Sequence, residues 1–157
     1  MIDMTQIIHK AKCLDSGEWV EGNLILNPKA DNSFKAIIIP LEDAGEYTGG
    51  YYKNDLGFET WYKVDPESIC RYTRLSDKNK KKIWENDIVK CYADTDDLGN
   101  DLYLFYKVTW NEKYHCWWLS DIYTLEDDYL HEYNPSDIEV IGNIFDNPEL
   151  LGESRKE

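Results

Sequence analysis

A mainly β fold is predicted, and three observations predict it. Six Trp and twelve Tyr help bring the aromatic share to 14%, and such side chains suit half-buried pleated surfaces better than helix faces. Short apolar runs recur between Gly, Pro, Asn and Asp clusters at close intervals, which is the rhythm of strands and turns. No stretch keeps apolar residues at helical spacing for the length of a helix, so short helical turns are the only helical structure expected.

Each element follows from its residues. Ile7–Leu14 and Trp19–Leu26 flank Asp15-Ser16-Gly17, polar turn residues that predict a β-hairpin. Asn27-Pro28 ends its second arm, because Pro has no N–H to give to a ladder. Phe34–Ile39 is a β-branched run read as a buried strand closed by Pro40. Leu41–Gly57 holds Gly45, Gly49, Gly50 and Gly57 among acids and reads as a long mobile loop. Phe58–Val64 resumes as a strand, with Trp61 expected to cover the core. Asp65-Pro66-Glu67-Ser68 has an Asp cap, a Pro in the first helical position and an acid at the positive end of the dipole. Asn147-Pro148-Glu149 repeats that grammar, and neither start is followed by an amphipathic stretch, so both predict single turns. Ile83–Tyr92, Leu102–Trp110, Tyr114–Ser120 and Ile138–Phe145 complete the strands. Asn111-Glu112-Lys113 makes a tight hairpin, Asp94–Asp101 an acidic loop, Leu125–Tyr133 one irregular helical turn, and residues 153–157 a tail.

Charge is unevenly spread along the chain. Residues 1–64 carry ten acids and six bases (−4), 65–90 five and seven (+2), and 91–157 sixteen and four (−12). An acidic excess of this size repels phosphate backbones, so duplex DNA is not an expected partner. The first ten residues, MIDMTQIIHK, lack a basic start followed by an apolar run, and no secretory leader is expected. The longest aliphatic stretch, Ala36–Ile39, is far too short to span a bilayer. Cys13, Cys70, Cys91 and Cys116 form no C-x-x-C and are expected as free thiols in a reducing cytoplasm.

The runs Asp65-Pro66-Glu67-Ser68-Ile69, Tyr72-Thr73, Leu75, Asp77-Lys78-Asn79, Lys82-Ile83, Glu85 and Asp87-Ile88-Val89 resemble the YopX-like family of phage and prophage proteins. Ile141-Gly142-Asn143-Ile144-Phe145 with Asn147–Leu151 is similar to that family's C-terminal signature, and Trp19-Val20-Glu21-Gly22 to the opening of its longer members. The resemblance implies an SH3-like barrel over residues 65–152, appended to an N-terminal β-hairpin and sheet region over 1–64, in a phage-encoded protein without an established activity. The strands from Ile83 to Phe145 would form that barrel, with Ile88, Val108 and Ile141 in its core. Three positions depart from the family's glycines. Asn86 is an easy replacement, Lys80 is expected to loosen its turn, and Arg74 implies a changed backbone or a small strain.

No residue pattern predicts catalysis, a cofactor or a metal. Asp94-Thr95-Asp96-Asp97-Leu98-Gly99 begins like a calcium loop, but Leu98 and Phe105 stand where oxygen ligands are required. His115 and Cys116 are adjacent and, in a strand, would point to opposite faces. The only basic cluster, Lys78, Lys80, Lys81 and Lys82, lies near Tyr72 and Trp84, and these six residues form the candidate interaction surface. Lysines beside aromatics bind single strands weakly by charge and stacking, which gives one reading, with a solvated loop as its plain competitor. The leading expectation is a non-enzymatic module that binds a host or phage protein through amphipathic Trp and Tyr surface. An acidic mimic of DNA that inhibits a host nucleic-acid enzyme is the alternative. Open sheet edges also predict self-association into a homo-oligomer.

Overall fold

Strands carry the fold, in keeping with the aromatic and β-branched composition. The computed structural model describes residues 8–30, 34–41, 44–46, 56–58, 60–124 and 126–152. The chain divides into two units, Met1–Tyr72 and Thr73–Glu157, where the sequence suggested a boundary at 64/65.

In the first unit, β1 (His9–Lys12) and β2 (Trp19–Leu26) form the predicted hairpin. They are joined by β3 (Ala36–Pro40), β6 (Tyr62–Lys63) and the start of β7 (Cys70–Ser76), in the antiparallel order β6-β3-β2-β1-β7. Strand period sets the interior: Ala36 and Ile38 alternate inward from β3 and meet Ala11 and Val64, with Val20, Leu24, Tyr62 and Ile69 packed around them. Gly22 sits between His9 on one neighbour and Pro40 on the other. A Cβ there would collide with the Ile39 carbonyl oxygen and come within 2.9 Å of Pro40 Cα, so close strand approach requires glycine. Asp65 caps the 3-10 turn Pro66–Ser68 by accepting from Glu67 N at 3.0 Å, as its sequence predicted. Ser68, buried behind it, accepts from Lys12 N and donates to Asp65 O, both at 2.8 Å.

Two expectations for this unit are corrected. Trp61 is 43% exposed and lies beside the equally open Phe34 instead of covering a core. The glycine-rich tract is not loop throughout: β4 (Ala44–Glu46) pairs with β5 (Leu56–Phe58), so Phe58 ends a short strand instead of opening one. The loop expected at 42–43 and 47–55 lies outside the described residues, as do Ile7, Glu59, Leu125 and the 153–157 tail.

The second unit holds β8 (Lys82–Trp84), β9 (Asp87–Thr95), β10 (Asp101–Asn111), β11 (Cys116–Asp121), β12 (Asp127–Tyr129) and β13 (Ile138–Asn143). The last five form an antiparallel sheet ordered β12-β11-β10-β9-β13. One face supplies the core: Val89, Cys91, Tyr106, Val108, Leu119, Ile138 and Val140 alternate inward, and Ile83 and Leu130 close over them. Tyr106 and Tyr133 share a hydrogen bond at 3.2 Å, and the Tyr133 hydroxyl donates to Asp128 at 3.1 Å, which ties β12 to the interior.

The fold is mainly β, built on antiparallel sheets, and no closed barrel forms among the described residues. The five strands form an open order with β12 and β13 at its ends. The strand expected over Ile83–Tyr92 is broken at Glu85-Asn86, where Asn86 has φ 68° and Asp87 Oδ2 accepts from Trp84 N at 2.8 Å. Ile88 and Val108 are fully buried as expected. Ile141 is only half-buried, because the register slips between Val140 and Gly142 and Ile141 is the extra, bulged residue. His115, with φ 51°, belongs to the turn before β11, so the alternation argument about His115 and Cys116 does not apply.

β9 and β10 are the longest strands of this sheet, and among the described residues no outer strand pairs with their far ends. β13 accompanies β9 only as far as Cys91, and β11 accompanies β10 only as far as Tyr106. Past one further bond, from Ile122 N to Phe105 O at 3.2 Å, β9 and β10 pair only with each other among the described residues, up to Thr95 opposite Asp101.

Candidate functional site

The residues that carry the family resemblance around 77–89 build a scaffold. Asp77, 4% exposed, accepts through Oδ1 from Asn79 N at 2.8 Å and Lys81 N at 2.9 Å, and through Oδ2 from Val140 N at 2.9 Å. One carboxylate therefore shapes the lysine turn and fastens it to β13, aided by Lys78 N donating to Ile138 O at 2.9 Å. Thr73, also buried, donates to Ile83 O at 2.7 Å and holds β7 against β8.

The three departures from glycine all retain a left-handed backbone: Arg74 at φ 69°, Lys80 at 64° and Asn86 at 68°. The expectation of a looser turn at Lys80 is corrected. Asp77 N still donates to Lys81 O, and Lys80 N to Asp77 O, both at 2.9 Å. Arg74 takes the strained alternative, in a conformation that a long side chain tolerates poorly.

The six predicted surface residues do not form one patch. Lys80 and Lys81 are exposed on the turn, and Lys82 and Tyr72 are half-buried in strands. Lys78 is ion-paired with Glu139, whose carboxylate holds the ammonium pKa above its usual value. Trp84 is 5% exposed and offers no face on which a base could stack, a correction to its place on that surface. Beside the turn lies a cleft of about 280 Å³ lined by Lys78, Lys90, Tyr92, Tyr103, Asp137 and Glu139, with Ser136. Lys90 sits 3.8 Å from the Tyr103 ring centroid. The cleft's two ammonium groups face two carboxylates, so it exerts little net pull on an anion.

An aromatic row on the sheet's outer side is the surface that sequence reasoning missed. Trp117 points inward against the core, and Trp118, the next residue, points outward. Tyr114 stacks parallel to Trp118 at 5.7 Å, Tyr129 meets Trp118 edge-on at 4.7 Å, and His131 follows Tyr129 at 5.3 Å. Tyr114 is 52% exposed and His131 is open, while Trp118 and Tyr129 are half-buried. Exposed Glu126, Asp127 and Glu132 lie in the adjoining segments of β12 and its following turn. The Trp-Trp pair was the available signal, since adjacent residues of a strand cannot both face the core.

The sequence's calcium-like acids close a turn. Asp96 accepts from Leu98 N at 2.9 Å and Asn100 N at 2.8 Å, and the Asn100 side chain, foremost among these donors, keeps its carboxyl pKa below the usual value. Among the described residues, no three His, Cys, Asp or Glu side chains are gathered as a metal site, and no helix is long and apolar enough to cross a membrane.

Fold and surface together define a two-sheet, antiparallel, mainly β protein with an aromatic face beside acids. The chain belongs to the YopX family: the family model described as YopX protein matches residues 15–152. Its fold is similar to the crystal structure of protein EF1440 from Enterococcus faecalis, with a TM-score of 0.56 at 19% identity, over 92% of this chain and 97% of that one. This likeness concerns fold alone. No curated protein matches the chain.

Proposed function

We propose that this is a non-enzymatic accessory protein, encoded by a phage or prophage, that acts by binding another protein in the bacterial cytoplasm. The row Tyr114–Trp118–Tyr129 carries the reading. Trp and Tyr dominate interface hot spots because they bring large, stiff, amphipathic contact area. The row has one parallel stack and one edge-on contact, so its rings are held in place before a partner arrives. Self-association through the sheet ends remains part of this reading, and light scattering at tens of micromolar protein tests it. Duplex DNA is not an expected partner, and a gel shift at near-physiological salt should give no complex.

The test is affinity capture from cells that carry the gene, with the wild-type chain, Trp118→Ala and Lys80→Ala in parallel. Loss of a hot-spot Trp removes at least about 2 kcal/mol, roughly thirtyfold in affinity. The captured protein should disappear with Trp118→Ala and persist with Lys80→Ala. Capture that survives Trp118→Ala refutes the row as the binding surface.

A further inference from the structure

From Tyr92 to Leu104 the chain is a two-stranded ribbon that outruns both neighbouring strands of its sheet. Four residues of strand beyond the sheet amount to roughly 13 Å, to which the turn adds its own length. Of residues 93–104, all but Asp96 are exposed. An isolated two-stranded hairpin is marginal in water, and this one is braced by short-range polar contacts. Asp96 closes the tip with Gly99 at φ 85°. The Thr95 hydroxyl bonds the Tyr92 hydroxyl at 2.8 Å and Asp101 at 3.1 Å. Tyr92 and Tyr103 meet edge-on at 6.1 Å, with Lys90 over the Tyr103 ring at the base.

That bracing holds apolar groups out in water. Leu98 at the tip is 87% exposed, Leu102 48%, Tyr103 38% and Leu104 39%. The register slips between Leu102 and Tyr103, with Ala93 of β9 the extra residue. The bulge thus lies on β9 and successive residues of β10 still alternate: Leu102 and Leu104 occupy one face of the ribbon and Tyr103 the other. Both faces are thus partly apolar: the Tyr103 face borders the cleft with Lys78, Lys90 and Glu139 at the base of the ribbon, while Leu98, Leu102 and Leu104 are exposed. Every charge from 91 to 106 is negative: Asp94, Asp96, Asp97 and Asp101, with no Lys or Arg.

We infer that this ribbon is a preorganised arm that inserts into a partner protein's groove, apolar along its floor and rimmed by Lys and Arg. The inference rests on the protein-binding function proposed above and adds the element that enters the partner and the chemistry it meets. Leu98, Leu102 and Leu104 gain by leaving water, and the aspartates require cations on the rim. A second copy of the chain is a poor occupant. It carries −14 overall, repeats the same four aspartates, and offers one basic cluster whose Lys78 is already paired with Glu139.

The test places a photo-cross-linking phenylalanine analogue at position 98, 102, 114 or 14, one at a time, in the full chain in cells that carry the gene. Leu14, 48% exposed on the first unit, is the control. The arm is supported if 98 and 102 give an adduct absent at 14, with the cross-linked peptide of the partner containing Lys or Arg. The purified partner should then bind Leu98→Ser/Leu102→Ser at least tenfold more weakly, and bind Asp94→Asn/Asp97→Asn with a shallower salt dependence. Both variants change only exposed side chains, so their circular dichroism and thermal midpoints should match wild type. An adduct at 114 alone overturns the arm and leaves the protein-binding function standing. Adducts at none of the positions overturn both, and an adduct between two copies of the chain overturns the heterologous partner.

Discussion

Replacing Asp77 by Asn exchanges one carboxylate oxygen for an amide NH2, and the surroundings leave no room for that exchange. Oδ1 serves the turn through Asn79 N and Lys81 N, and Oδ2 serves Val140 N. An Asn has one acceptor oxygen. If it faces the turn, its NH2 meets the Val140 N–H, donor against donor; if it flips, the turn loses both bonds. Hydrogen bonds to a charged group contribute about 1.5–3 kcal/mol each, and a buried donor left unsatisfied costs about 1–3 kcal/mol. Asn79 and Lys81 are exposed and their amides can rebind water, so their losses fall at the low end. Val140 is 9% exposed and its amide cannot. The expected loss is about 2–4 kcal/mol for Asp77→Asn and about 3–5 kcal/mol for Asp77→Ala. The assay is urea denaturation followed by tryptophan fluorescence, since four of the six Trp (Trp84, Trp110, Trp117 and Trp118) lie in the second unit. An Asp77→Asn protein within about 1 kcal/mol of wild type would falsify the view that this carboxylate holds turn and strand together.

Three further outcomes are expected. Arg74→Gly and Lys80→Gly should each stabilise by roughly 0.5–1 kcal/mol, because relief of a left-handed L-residue outweighs the entropy glycine adds to the unfolded chain; a fall in the urea midpoint for either would mean that the side chain, not the backbone, decides. Gly22→Ala should destabilise the first unit by about 1–3 kcal/mol, since the new methyl meets Ile39 and Pro40 backbone instead of a yielding side chain; an unchanged thermal midpoint would contradict that. Alkaline pH should weaken the second unit. Burial pushes the Cys91 thiol up from 9.0 to about 12, so between those pH values the unfolded chain releases a proton that the native state keeps, and stability falls by up to about 1.4 kcal/mol per pH unit. Tyr133 and Tyr106, raised chiefly by burial, add to the loss above pH 10.0. Urea midpoints measured across this range should drop more steeply for wild type than for Cys91→Ala, and parallel curves would count against the burial argument.

Local chemistry was legible in the sequence, and long-range pairing was not. Asp65-Pro66 forms its capped turn because a cap depends on residues two or three apart. The β1–β2 hairpin and the ends of β10 follow from turn residues and alternation in the same way. The break at Asn86 was hidden, because Ile83 to Tyr92 is apolar enough on both sides of the turn to pass for one strand. Ile141 was misplaced because its bulge exists only relative to Val89 and Ile88 on the neighbouring strand. Trp84 was assigned to a surface on the strength of nearby lysines, although a Trp beside Ile83 is equally at home inside. The ribbon from Tyr92 to Leu104 could not be anticipated, since its projection depends on where β11 and β13 stop.

The four cysteines make the chain a reporter of its own opening. Cys13, Cys70 and Cys91 are buried, and Cys116 alone is half-exposed, at the start of the strand that carries Trp118. A thiol reagent therefore meets one site in the native protein and three more only after local or global opening. Cys13 and Cys70 belong to the first unit and Cys91 to the second, so the order in which they become labelled distinguishes which unit opens first. Cys116 alternates onto the same face as Trp118, two residues along β11. A fluorophore placed there without any mutation would sense a partner settling on the aromatic row as a change in colour or anisotropy, in the unaltered chain.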